Sequence, residues 1–134
     1  MSLQLPASQR LKKPAQFQSV YKSKQWGGSK HFTFNALGKS SLLDVNQTAP
    51  VIGVTVSKKV SKKAVDRNRI KREIREFFRH HQADLNDADV VITAKPSCNK
   101  VSAQERNESL NELWIKVVKW HAWHHRQLLK KDAS

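Results

Sequence analysis

The sequence predicts a single α+β domain whose most basic helix lies between two strands. Three observations carry this. Three apolar runs have strand length, three longer stretches repeat apolar residues at helical spacing, and the order along the chain is α-β-β-α-β-α. At 134 residues the chain is long enough for one core and too short for two.

Each element follows from local pattern. Residues 1–12 read as a loose basic arm. Pro14 stands where a first helical turn accepts it, and Phe17, Val20 and Tyr21 follow at i, i+3, i+4, which predicts a helix over 14–23. Gly27 and Gly28 break it. Between 30 and 37, Phe32, Phe34 and Ala36 alternate with His31, Thr33 and Asn35, the signature of a half-buried strand. A polar loop spans 38–49. In 51–57, Ile52, Val54 and Val56 share one face while Gly53, Thr55 and Ser57 share the other.

The second helix is expected from an N-cap at Ser61 to about His80, with Ile70, Ile74, Phe77 and Phe78 facing the core. Residues 89–94, DVVITA, form a buried strand. Ser102 and Glu105 make a capping box that opens a long helix, on which Leu110, Leu113, Trp114, Val117 and His121 share one face. The pattern leaves room for one more short strand, and 125–134 reads as a loose tail.

Charge points to the partner. Residues 58–79 hold ten Lys and Arg against three acids, so this stretch carries half of the formal net charge of +14. With a pI near 10.3, an anionic partner is the default expectation. Asn68, Arg72, Arg75 and Arg79 fall nearly opposite the apolar face, with Lys71 beside them. A basic helix face is usually only solvated. Here Arg67, Arg69, Lys71, Arg72, Arg75 and Arg79 have only Asp66, Glu73 and Glu76 to offset them, and such self-repulsion calls for an external anion. The forked guanidinium suits phosphate in particular.

Other features carry less. No apolar run approaches the roughly 20 residues that span a bilayer, and the N-terminus lacks the apolar core of a secretory signal. The single Cys98 excludes an internal disulfide and fits a reducing, cytoplasmic setting. His80-His81 and His121, His124 and His125 have no thiolate or carboxylate arranged beside them, so no metal site is expected. Asp84, Asp87 and Asp89 fit turn chemistry. No nucleophile, base and orienting group stand out together, so no catalytic residue is expected. Phe17 and Tyr21 fit either a core, the commoner role, or a groove where bases stack.

The segment VDRNRIKREIRE at 65–76, preceded by GVTVSKK at 53–59, resembles the signature of the bacterial ribonuclease P protein subunit. The likeness extends outward in order. RLKK at 10–13 and FQSVY at 17–21 resemble that family's first helix, 30–37 its first long strand and 89–95 its last, in all roughly residues 10–120. Trp120, Trp123 and the paired histidines of the tail have no role in it.

The resemblance implies an α-β-β-β-α-β-α fold with a small mixed sheet and the basic helix in a left-handed β-α-β crossover. Unaided, the sequence would suggest the common right-handed one. It also implies a function. In this family a large RNA, using Mg²⁺, cleaves the 5′ leader from precursor tRNA, and the small protein, a monomer in the holoenzyme, helps to bind both RNAs. Arg67, Asn68, Arg69, Lys71, Arg72 and Arg75 match the motif that meets the catalytic RNA, and Arg79 continues the stripe. Phe17 and Tyr21 match aromatics lining the leader cleft. Thr33, Asn35, Thr55 and Ser57 would lie on the cleft side of the sheet, with Lys58 and Lys59 placed for phosphates. Asn35 departs from the pattern, since several members have an aromatic there. The alternative is a basic ribosomal or ribosome-assembly protein on a related fold. A DNA-binding helix-turn-helix protein ranks third, because strands rather than a partner helix flank the basic helix.

Overall fold

Alternation along the strands decides which side of the sheet becomes the core. A computed structural model describes residues 5–38, 49–85 and 88–133. Its elements are helix α1 (Pro14–Lys22), strands β1 (Trp26–Gly28), β2 (Phe32–Gly38) and β3 (Val51–Thr55), helix α2 (Ala64–His81), strand β4 (Ala88–Ala94) and helix α3 (Ala103–Ala133). The sheet order is β1-β2-β4-β3. β1 with β2 and β2 with β4 are antiparallel, while β3 and β4, the strands that flank α2, are parallel. The result is a single α+β domain with a four-stranded mixed sheet.

One face of the sheet carries Phe32, Phe34, Ala36, Ile52, Val90 and Ile92, and α2 and α3 cover it. From α2 come Ile70, Ile74, Phe77 and Phe78, and from α3 Leu110, Leu113, Trp114 and Val117, all at most 6% exposed. Burying each such side chain contributes about 1.5 to 3 kcal/mol. The other face carries Thr33, Asn35, Gly53, Thr55, Val91 and Thr93. Among the described residues α1, through the fully buried Val20, is the one helix over it, with Leu11 reaching Gly53 beside it.

The structure moves several expected boundaries. The additional strand is β1, which contains the Gly27-Gly28 pair expected to break the first helix; α1 itself already ends at Lys22, with Ser23 as its C-cap. The strand expected over 30–37 starts at Phe32, because Ser29 N–H donates to the Phe32 carbonyl and closes the hairpin first. The one after Pro50 stops at Thr55, since Val56 turns into the core and Val60 N–H closes a turn on the Ser57 carbonyl.

Ser61 does not cap α2, which begins at Ala64. Its hydroxyl instead donates to Asp66 at 2.8 Å and accepts the Lys63 N–H at 3.1 Å, organising the approach to the helix. The capping box of α3 is half made. Ser102 Oγ accepts the Glu105 N–H at 3.1 Å, but the Glu105 carboxylate faces His31 Nε2 at 2.6 Å.

Neither end is loose where it is described. Leu5 is buried in the core, a 3-10 turn spans Ala7–Gln9, and Leu11 N–H donates to the Ile52 carbonyl at 2.8 Å beside β3. Residues 125–133 are helical, against the loose tail expected there. Trp120, His124 and Leu128 recur every four residues and hold this end down. Trp120 Nε1 donates to Gln25 Oε1, the His124 ring stacks on Trp120 at 5.5 Å and sits against Gly38, and Leu128 is buried.

Arg106 joins the two core helices. It is 4% exposed, and its Nε and Nη2 donate to both oxygens of Glu73 on α2 at 2.7 and 2.8 Å. Its Nη1 donates to the carbonyls of Cys98 and Val101. The Glu73 carboxylate raises the Arg106 pKa further, so this charge is permanent. Glu73→Gln strands a buried guanidinium, and urea melts should show a loss of about 3 kcal/mol. A loss below about 0.5 kcal/mol would place the pair among solvated surface contacts.

Candidate nucleic-acid interface

Carboxylates on α2 are committed to internal partners, and this fixes the helix's outward charge. Glu73 is held by Arg106. Glu76 takes Arg79 and, at 3.1 Å, His80, and the Arg79 hydrogen bond lowers the Glu76 pKa most. Asp66 accepts from Ser61 and lies 3.7 Å from Arg69. Arg67 donates to the Ser61 carbonyl, and Arg69 to Asn99.

Among the described residues, Lys71, Arg72 and Arg75 make no ion pair. Arg72 is exposed, and Lys71 and Arg75 are half-buried. Burial, and then the nearby charge of Arg10, lower the Arg75 pKa. Arg10, noted in the sequence only as part of the first-helix likeness, has a buried Nε with no hydrogen-bond partner among the described residues. Two guanidiniums held close without a carboxylate make a strongly positive spot. Arg79, by contrast, is tied to Glu76, so this member of the expected stripe projects less free charge. Asn68 is exposed beside Arg69.

The second part of the site is an open hollow of about 350 Å³ between α1 and β3, lined by Lys12, Pro14, Phe17, Gln18, Tyr21 and Thr55. Phe17 is half-buried and Tyr21 is 40% exposed, so neither is an ordinary core residue. The Phe17 ring rests on Gly53, where a Cβ would lie 2.5 Å from its Cε1. Glycine at that position is what lets α1 approach the sheet.

Register brings Thr33, Thr93 and Thr55 side by side across β2, β4 and β3, and Thr55 donates to Thr93 at 2.7 Å. Asn35 is one row away, opposite Val91. Ser57 lies past the end of β3, in the turn, where its Oγ accepts the Lys59 N–H at 3.3 Å. Lys58 and Lys59 are exposed in that same turn, between the hollow and the start of α2. Thr93 and Lys95 also belong to this face. The sequence had signalled them by two-residue spacing, hidden because DVVITA reads as buried on both sides.

One constellation contradicts the sequence reading that no nucleophile, base and orienting group stand together. Ser97 Oγ is 2.7 Å from His31 Nδ1, and His31 Nε2 meets Glu105. The imidazole is 2% exposed, and Cys98 Sγ donates to the His31 carbonyl at 3.0 Å. All these bonds fasten the start of β2 to the Pro96–Lys100 turn and the first turn of α3, so the set is a clamp. Burial pushes the Cys98 thiol up to about 11 and keeps it neutral.

Comparison with known proteins decides the family. The family model described as Ribonuclease P matches residues 5–118. The chain belongs to the ribonuclease P protein family. The ribonuclease P protein component of Pseudoalteromonas atlantica is 41% identical over 110 residues, covering 82% of this chain and 87% of that one. That of Sodalis glossinidius is 39% identical over 114 residues, covering 85% and 91%. Among solved structures, the Staphylococcus aureus RNase P protein superposes with a TM-score of 0.73 at 28% identity, covering 84% of this chain and 97% of that one. The Thermotoga maritima protein, at 22% identity with a TM-score of 0.65 over 78% and 95%, shares the fold.

The family match ends at residue 118, so Trp120, His124 and Leu128 are packing contacts outside it. The shared part includes α2, the hollow and the threonine row. Gly53→Ala should force the Phe17 ring away from the sheet and cost about 1 to 3 kcal/mol, read as a lower melting midpoint. An unchanged midpoint would mean that α1 does not depend on this approach.

Proposed function

We propose that this chain holds the catalytic RNA of ribonuclease P on the outer face of α2 and the single-stranded 5′ leader of precursor tRNA in the hollow under α1. The RNA, with Mg²⁺, hydrolyses the phosphodiester at the junction of leader and mature tRNA. The protein supplies binding and orientation and no reacting group.

The observation that carries this reading is the pairing on α2. Its three acids are occupied within the fold, while Lys71, Arg72 and Arg75 are left without a carboxylate among the described residues, and Arg75 also feels the charge of Arg10. Phosphates satisfy such a face, and guanidiniums take them bidentately. The hollow has the other chemistry that unpaired RNA needs. An exposed phenol and a half-exposed phenyl ring offer stacking surfaces, the Thr55 hydroxyl and Lys12 line the hollow, and Lys58 and Lys59 are exposed in the turn that follows β3.

Reconstitution tests the proposal. The chain, mixed with a bacterial ribonuclease P RNA and precursor tRNA at low Mg²⁺, should restore cleavage at the mature 5′ end, and alone it should cleave nothing. Cleavage that stays with the protein after stringent RNA removal would sink the assignment of chemistry to the RNA. No stimulation at any protein concentration would sink the assignment of partner.

Two substitutions separate the surfaces. Arg72→Ala with Arg75→Ala should weaken binding to the catalytic RNA and flatten its log–log salt dependence by about 0.7 to 0.9 for each lost phosphate contact. An unchanged slope would leave the stripe merely solvated. Tyr21→Ala should leave the melting midpoint nearly unchanged and cost about 1 to 3 kcal/mol in holoenzyme affinity for leader-bearing tRNA. Equal losses for precursor and mature tRNA would remove Tyr21 from the leader cleft.

A further inference from the structure

Trp26 is the one exposed large apolar side chain on the sheet among the described residues, at 71% of its full exposure. The others stand on helices. Its direction follows from register. Trp26 pairs directly with Asn35, and opposed residues of an antiparallel pair share a face. Gly27, between Trp26 and Gly28, points the other way, since a Cβ there would strike the Phe34 ring at 2.7 Å. The indole therefore stands on the threonine face, at the edge opposite β3. Three strand spacings of roughly 4.8 Å put its column about 14 Å from that of Gly53 and Thr55.

The backbone beneath it is held firmly. Lys24, at φ 57°, swings the chain from α1 into β1. The Gln25 carbonyl accepts the Ala36 N–H at 2.9 Å, the Gln25 side chain accepts from Trp120, and Lys116 Nζ donates to the Gly28 carbonyl. An indole on so fixed a strand presents its ring with little ordering cost.

The surroundings favour a nucleic-acid base. The first acidic residue of the chain is Asp44, so Trp26 sits in 43 residues that hold seven Lys and Arg and no carboxylate. Lys24 is exposed two residues before it, and the Lys95 ammonium, which donates to the Ser29 carbonyl, lies 3.8 Å from a Cβ built at Gly28 on the same face, whereas Lys30 lies 3.9 Å from Glu105 on α3. A flat π surface bordered by Lys24 and Lys95 takes a base on the ring and its phosphates on these lysines.

We infer that Trp26 is a second stacking platform, which takes a base of the same single-stranded leader at the edge of the sheet remote from Gly53. This rests on the leader reading above. The test is holoenzyme affinity for precursor and mature tRNA with Trp26→Ala and Trp26→Phe. Trp26→Ala should lose about 5- to 100-fold in affinity for precursor tRNA alone, and Trp26→Phe should recover most of it. A side chain this exposed leaves the melting midpoint of both variants unchanged. A scan of abasic leader nucleotides should find one position that weakens the parent and leaves Trp26→Ala unaffected.

Trp26→Ala with the parent's precursor affinity, or with an equal loss on mature tRNA, overturns the inference. If Trp26→Ala is destabilised, Trp26→Phe and the abasic scan decide. A scan with no such position overturns it as well. A parent holoenzyme that binds both tRNAs equally overturns the leader reading itself, an outcome visible before any substitution is made.

Discussion

The buried Arg106–Glu73 pair is the interaction on which both the packing and the surface charge depend. It holds α3 against α2 and reaches back to the Cys98 and Val101 carbonyls, so one guanidinium fixes the relative placement of three segments. It also takes one acid of α2 out of the electrostatics of its outer face. The same bond that closes the core thus leaves Lys71, Arg72 and Arg75 less screened than their sequence neighbours suggest. Stability and surface charge are linked here through one carboxylate.

The sheet divides its work by side. Ridges of Phe, Ile and Val meet the two long helices, and the opposite side keeps hydroxyls, an amide and a glycine beneath a short helix that touches it mainly through Val20 and Phe17. Two helices seal one face and a single short one sits over the other, which is why the open hollow lies under α1. The likeness to solved ribonuclease P proteins extends over this whole arrangement.

Much of this was legible in the residues. Ile70, Ile74, Phe77 and Phe78 announced the buried side of α2 by helical spacing, and the alternation at Phe32, Phe34 and Ala36 announced β2. What the sequence hid depends on distant partners. Ser61 resembled a cap until Asp66 and Lys63 engaged its hydroxyl, and Glu105 fitted a capping box until His31 competed for it. The end of α3 looked loose because its apolar residues are few. Trp120 and Leu128 are buried only in the folded chain, where Gln25, far away in sequence, takes the Trp120 N–H. Whether Arg79 was free could not be read from its position, since Glu76 three residues earlier decides it.

The threonine row has a consequence for discrimination. A hydroxyl hydrogen rotates, so Thr33 and Thr93 can each donate to one group and accept from another without rebuilding the site. Neither fixes a donor–acceptor pattern that would distinguish one base from the next, as a bidentate amide or guanidinium does. Rings add contact area that every base satisfies equally. On the proposed leader reading, a surface of this composition would hold a strand through contacts that every base can make, and would carry little preference for one flanking sequence over another.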